Sequence, residues 1–225
     1  MATKNKTEEQ FAQVEQALGK TEQYIEENKN SLMIIVGVIV GIIVLFKGYQ
    51  TFYIEPLEKE AKTEAYMAEL YFQKDSFNLA LNGDGQYYGF LDIADEYGST
   101  NIGNLANYYA GLCYLHTDDY ESAIEYLEKF SSDDIIISSL ALGCTGDAYM
   151  ELGDTDNARA AYEDAIKNSD NKFTAPRYMM KLAAIHELNE DYTKALDIYH
   201  TIAEDFKGSR EASGIEKYIS RAENR

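Results

Sequence analysis

The sequence predicts an all-α protein: one N-terminal transmembrane helix, then a solenoid of about four helix pairs closed by a C-terminal capping helix. Three observations predict it. Leu32 to Phe46 carry no polar side chain. Behind them, small and aromatic residues recur at helical spacing with a period close to 35 residues. The chain is strongly acidic, with a formal net charge of −19, yet 45% hydrophobic, which suits a soluble domain with a real core.

Residues 1–30 are a separate piece. Phe11, Val14, Leu18 and Ile25 fall on one helical stripe among glutamates and glutamines. A short amphipathic helix that meets a partner and a partly ordered, solvated tail both fit this pattern.

The next segment, 31–54, is read as a membrane anchor. Fifteen helical residues reach only ~22 Å, against a hydrocarbon core of ~30 Å. Ser31 and Gly48 to Ile54 close the gap when they join the helix. Lys47 then snorkels upward, and Tyr49, Phe52 and Tyr53 form an interfacial aromatic belt. A cleaved signal peptide fits poorly. The run starts behind a long acidic tail, and "KGYQTFYI" puts bulky residues where small ones are needed for cleavage. A buried soluble helix fits poorly too, because the run is apolar on every side. Gly37 and Gly41 form G-x-x-x-G, a spacing that lets two helices approach closely in lipid; glycine is also simply common in spans. Lys20 and Lys29 flank one side of the run and Lys47, Lys59 and Lys62 the other, so charge alone does not orient it.

The charge excludes some partners. The first 31 residues hold four lysines and six glutamates, which leaves about −17 after the apolar run. Binding nucleic-acid phosphates needs clustered Lys or Arg, and anionic lipid repels such a surface. Cys113 and Cys144 are too few for a disulfide scaffold and lack metal-ligand spacing. Buried free thiols and a single bridge both remain open.

The solenoid rests on "GDAYMELGDTDNARAAYEDAI", Gly146 to Ile166. Gly146, Tyr149 and Met150 line one helix, Gly153 and Asp154 mark a turn, and Ala158, Tyr162 and Ala165 make a face of the next. Upstream the pattern is Gly111, Tyr114, Ala123, Leu127 and Phe130. Downstream it is Ala183, Ala195, Tyr199 and Ile202. Gly111 to Gly146 and Ala123 to Ala158 are both 35 residues, and Ala158 to Ala195 is 37. This set resembles the tetratricopeptide repeat, with repeats expected at 104–137, 139–172 and 176–209. The closing proline of that repeat is absent, with Asp170 and Lys207 near its place. "IADEYGST" at Ile93 to Thr100 echoes "IAEDFKGS" at Ile202 to Ser209. It implies an irregular first repeat over 58–100, with helices Glu58 to Leu81 and Gln86 to Tyr97 split by "NGDGQ". Residues 210–223 read as the capping helix that a solenoid end requires.

No site for chemistry emerges. Read as a calcium loop from Asn82, the turn glycine falls on Tyr87 and the bidentate glutamate on Ile93, so it fails. His186 and Glu187 begin like a zinc-protease motif, but Glu190 stands where the second histidine belongs. His186 fits a packed core residue, and His200 an exposed one. There is no G-x-S-x-G and no phosphate loop. The expectation is therefore no catalytic residue, no cofactor, no metal and no small-molecule substrate.

The working surface is expected on the first helix of each pair, which lines a concave face in this repeat. Its consensus places are Leu105, Tyr108, Leu112, Leu115 and His116; then Leu140, Gly143, Asp147, Met150 and Glu151; then Arg177, Met180, Ala184, Glu187 and Leu188. A floor of Leu, Tyr and Met suits an apolar protein segment. The groove could equally be filled by the capping helix or by the Glu58 helix.

As a whole, tail, span and repeats resemble the YfgM-like family of bacterial inner-membrane proteins, and so do "LYFQKDSFNLALNGDGQYYGFLDIADEYG" and "NLANYYAGLCYL". The resemblance implies a cytoplasmic N-terminus and a periplasmic repeat domain. It also implies association with the SecYEG translocon, a PpiD-like chaperone and newly exported polypeptides. A cytosol-facing anchored scaffold that reads targeting peptides is the alternative.

Overall fold

The computed structural model describes the backbone of residues 2–168 and 171–225, and side chains from residue 26 onward within those ranges. Every regular element among the described residues is helical. The chain divides into two compact units, Met1–Pro56 and Leu57–Arg225.

In the first unit, α1 runs Ala2–Tyr49 and is followed by a π-helical turn at Gln50–Ile54. The side chains of Phe11, Val14, Leu18 and Ile25 lie outside the described residues. From Met33 to Phe46 every large apolar side chain is more than half exposed. Water disfavours such a surface at about 25 cal/mol per Å², whereas hydrocarbon does not. The helix is long and apolar enough to cross a membrane, and none of its apolar stretch is buried. Tyr49 and Tyr53 stack at 5.3 Å across the π turn.

The second unit is a succession of helix pairs. It opens with α2 (Glu55–Gln73) and α3 (Phe77–Asn82), and α4 spans Phe90–Glu96. Then come α5 (Asn101–His116) with α6 (Tyr120–Lys129), α7 (Ile135–Glu151) with α8 (Thr155–Lys167), and α9 (Ala175–Leu188) with α10 (Tyr192–Asp205). The last helix, α11, is Glu216–Glu223. From α4 to α11 each helix packs on its neighbours in sequence, the arrangement that makes a solenoid a chain of local contacts.

One turn joins the members of each pair. Asp75, Asp118, Gly153 and Glu190 all sit in the left-handed region, with φ of 54°, 62°, 76° and 60°. The carbonyls of Tyr71, Tyr114, Tyr149 and His186 accept from the amides of Ser76, Asp119, Asp154 and Asp191 at 2.8–3.0 Å, closing the first helix in a Schellman-type turn. Asp119, Asp154 and Asp191 then cap the second helix, accepting from the amides of Ser122, Asn157 and Lys194 at 3.2, 3.1 and 3.3 Å. Only Gly153 takes this backbone without a Cβ penalty. Glu190→Gly is therefore expected to stabilise the protein by about 0.5–1 kcal/mol, the relief of left-handed strain less the added chain entropy. The check is a higher urea midpoint at unchanged slope; a lower midpoint would contradict the strain argument.

The same turn at Asp75 alters the expected first repeat. The helix expected over Glu58 to Leu81 is two, α2 and α3, and the helix expected from Gln86 begins at Phe90. Residues 83–89 are thus an insertion that splits the second helix of this pair into α3 and α4. Its shape is set by Gly83, where a Cβ would meet the Tyr87 carbonyl oxygen at 2.2 Å. Asp84 also shapes it: Oδ1 accepts from the amides of Gln86 and Tyr87, and Oδ2 from the Tyr71 hydroxyl at 2.7 Å.

Small residues let the paired helices close up. A Cβ on Gly111 would stand 2.6 Å from Leu127 Cγ, and one on Gly146 2.5 Å from the Tyr162 ring. Ala123, Ala158, Ala183 and Ala195 are fully buried. Large side chains fill the spaces between, with Tyr178, Tyr199, Ile185 and Ile202 almost wholly enclosed; each such apolar body contributes roughly 1.5–3 kcal/mol. At the N-terminal end, Ala61, Ala65 and Ala68 of α2 join Phe90, Ile93, Ala106, Ala110 and Cys113 in one core. At the other end, Ile215, Ile219 and Ala222 cover Ala183, Ala195, Tyr199 and Ile202. So α11 seals the end of the stack, and the capping helix is shorter than the 210–223 span expected for it.

Candidate protein-binding groove

Between α7, α8 and α9 lies a cavity of about 470 Å³. Asp147, Met150 and Glu151 reach it from α7, Tyr162 from α8, and Lys181, Ala184, Ile185 and Leu188 from α9. The residues from α7 and α9 are spaced by three and four, so each set is one helical stripe. Asp147, Met150 and Ala184, all expected on the concave face, meet here together with Glu151 and Leu188.

The polar floor is internally paired. The Tyr162 hydroxyl donates to Asp147 Oδ1 at 2.6 Å. Lys181 Nζ pairs with the same oxygen and lies 5.7 Å from the Tyr162 ring centroid. Burial, and then the hydrogen bond to Asp147, push the Tyr162 hydroxyl well above its usual range. One repeat later the device recurs. The Tyr199 hydroxyl donates to Glu187 Oε1 at 3.2 Å, and Arg221 of α11 pairs with the other oxygen of that carboxylate. In both places a tyrosine on the second helix of a pair holds an acid on the first, and a cation from the next helix pair or from α11 neutralises that acid. What remains of the lining is Met150, Ala184, Ile185 and Leu188, the last 64% exposed, together with the exposed Glu151.

The other expected residues fall elsewhere. Leu105 lines a second cavity with Asn101, Asn104, Phe130 and Ile137. Tyr108 sits 5.3 Å from the Phe130 ring; burial first, then the Cys144 thiol nearby, raises its hydroxyl strongly. Leu112 and Leu115 are half-buried. His116 stacks on Phe77 at 4.1 Å, which commits its ring to α3. Leu140 packs beside Tyr162 and Tyr178, and Met180 packs into the core under α11. Gly143 is buried under the Tyr178 ring. Arg177 lies 6.0 Å from the Tyr178 centroid and lines a third cavity. Neither α2 nor α11 contributes a residue to the cavity around Asp147. In the first unit, nothing lies within 4 Å of a Cβ built on Gly37 or Gly41.

His186 is a packed residue, 8% exposed, with Nδ1 3.9 Å from Asp191 Oδ2. Burial, and then Lys194, lower its pKa, so it stays neutral. Glu187, its neighbour in the failed zinc pattern, is held by Tyr199 and Arg221.

Cys113 and Cys144 are both free. Burial raises their thiols to about 12 and about 11, from 9.0. A raised folded-state pKa favours the protonated form, so its stabilising effect is complete below the unfolded value. It is lost as pH rises from about 9 through 11 to 12. Iodoacetamide at neutral pH is expected to leave both thiols unmodified in the native protein and to label both after denaturation. Rapid native labelling would contradict the burial of Cys113 and the raised pKa of the partly buried Cys144.

No curated protein matches this chain. Two family models described as tetratricopeptide repeat match it, one over residues 105–133 and one over residues 145–209. These stretches fall on α5 with α6 and on α7 to α10. The helix pairs, their common turn and these two matches together identify the chain as one that carries tetratricopeptide repeats.

Proposed function

We propose that this protein is a membrane-anchored interaction module that holds an apolar segment of another protein and catalyses no reaction. The observation that carries this reading is the cavity between α7 and α9, where Asp147 and Lys181 neutralise each other and Met150, Ala184 and Leu188 supply an apolar wall beside exposed Glu151. Binding energy at such a surface comes from buried apolar anchors. Tetratricopeptide repeats serve protein–protein contact, and the bare apolar helix supplies the tether.

The resemblance in layout to the YfgM-like family narrows the setting. The module sits in a bacterial inner membrane with its N-terminus in the cytoplasm and its repeats in the periplasm. It acts as an ancillary subunit of the Sec translocon, meeting a PpiD-like chaperone and newly exported chains. Gly37 and Gly41 would face another span. A reporter fused after Arg225 tests this topology: periplasmic activity is expected. Cytoplasmic activity would favour the second reading, a cytosol-facing receptor for targeting peptides. Lys47, Lys59 and Lys62, on the C-terminal side of the span, speak for that second reading. Gentle solubilisation after crosslinking is expected to recover a translocon or chaperone subunit, and recovery of neither would overturn the Sec assignment.

A further inference from the structure

A cavity of about 500 Å³ lies where the segment before α9 meets the segment before α11. Its lining includes Lys172, Phe173, Arg177, Arg210 and Glu211. Residues 57–225 hold 32 carboxylates against 15 lysines and arginines. At this cavity the ratio reverses, with three cations and one acid.

The three cations are otherwise uncommitted. Among the described residues none of them forms an ion pair, and Glu211 is unpaired as well. The fold sets two of them against neighbouring groups. A Cβ built on Gly208 would touch Lys172 Nζ at 3.8 Å, so the lysine lies across the backbone of the α10–α11 connection. Arg177 leaves α9 beside the Tyr178 ring. Phe173, 64% exposed, stands at the rim as an aromatic surface with nothing over it. Like charges gathered this way repel one another until an anion sits among them.

We propose that this cavity receives the carboxylates of a short acidic segment of a partner protein, with Phe173 covering an apolar side chain beside them. The site is distinct from the groove around Met150 and Leu188 and stands independently of it. The surrounding charge argues for a peptide over an anionic membrane. A bilayer would face the whole acidic surface of the unit, whereas a peptide inside the cavity feels mainly charges within a Debye length of about 8 Å.

The test uses the full chain in detergent micelles and a fluorescein-labelled octapeptide of glutamates and phenylalanines, followed by anisotropy at low ionic strength. Saturable binding is expected, weakened by added salt. Arg177→Gln with Arg210→Gln is expected to weaken it about tenfold, and Lys172→Gln to weaken it further. Arg177→Lys with Arg210→Lys should retain most of it, since the charge is kept. Arg177, Arg210 and Lys172 are exposed, so thermal melting should be unchanged in every variant. Absence of saturable binding, or binding indifferent to the glutamine variants, would overturn the proposal. So would equal binding of a lysine-for-glutamate peptide. Variant-sensitive binding to phosphatidylglycerol vesicles in place of the peptide would overturn it in favour of lipid.

Discussion

Gly143→Ala is expected to destabilise the repeat unit by about 3 kcal/mol, near the upper end of overpacking costs in a filled core. A Cβ at this place would stand 1.9 Å from two ring carbons of Tyr178 and 2.4 Å from its hydroxyl oxygen. The ring has no room to retreat, because Tyr178 is 1% exposed and stacks on Tyr162 at a centroid distance of 6.1 Å. Those two tyrosines join the third and fourth helix pairs, so the added methyl forces α7 away from α9. A fall of roughly 6–12 °C in melting temperature follows for a unit of this size. A fall below about 2 °C would show that Tyr178 can move aside, and that the close approach of α7 and α9 is not what holds these pairs together.

The second large effect concerns the anchor. Ile39 and Ile43 are 51% and 55% exposed in the middle of the apolar stretch. An arginine at the centre of a span costs ~2.5–3.5 kcal/mol on insertion scales, so Ile39→Arg with Ile43→Arg should cost ~5–7 kcal/mol. Such a variant is expected to leave the membrane fraction in an alkaline carbonate wash that the parent protein resists. Retention of both proteins alike would mean that α1 is not what tethers the chain.

Much of this architecture was legible because helix packing writes a period into the sequence. Gly111 and Gly146, like Ala123, Ala158 and Ala195, recur near every 35 residues because each repeat needs a small residue where its two helices cross. The first repeat was less legible. Its turn at Asp75 runs into Ser76-Phe77 and lacks the Asp-Tyr step of 119–120 and 191–192, so nothing repeated marks the break between α2 and α3. The insertion at 83–89 then disguises α3 and α4 as parts of different helices. The candidate groove was read from consensus spacing, which brought Asp147, Met150 and Ala184 together but not Leu140, Met180 or His116. Those three were drawn into neighbouring hydrophobic and aromatic contacts that spacing alone does not reveal. The tyrosine–acid–cation devices were invisible for another reason. Asp147 and Lys181, like Glu187 and Arg221, are 34 residues apart, and among 39 carboxylates no single pairing stands out. The cationic cavity draws on two connecting segments and the start of α9, where the repeat pattern says least.

The central claim is that an apolar segment of another protein occupies the cavity between α7 and α9 while the chain is in its membrane. Photo-crosslinking in intact membranes tests this most directly, with a benzophenone amino acid at Leu188 and a control at exposed Glu163 on α8. The account predicts a discrete adduct from Leu188, weakened when Met150 is replaced by Glu, with the crosslinked peptide mapping to an apolar stretch of a translocon subunit, chaperone or exported chain. Equal crosslinking from both places, or an adduct only within this chain's own α2 or α11, would contradict it.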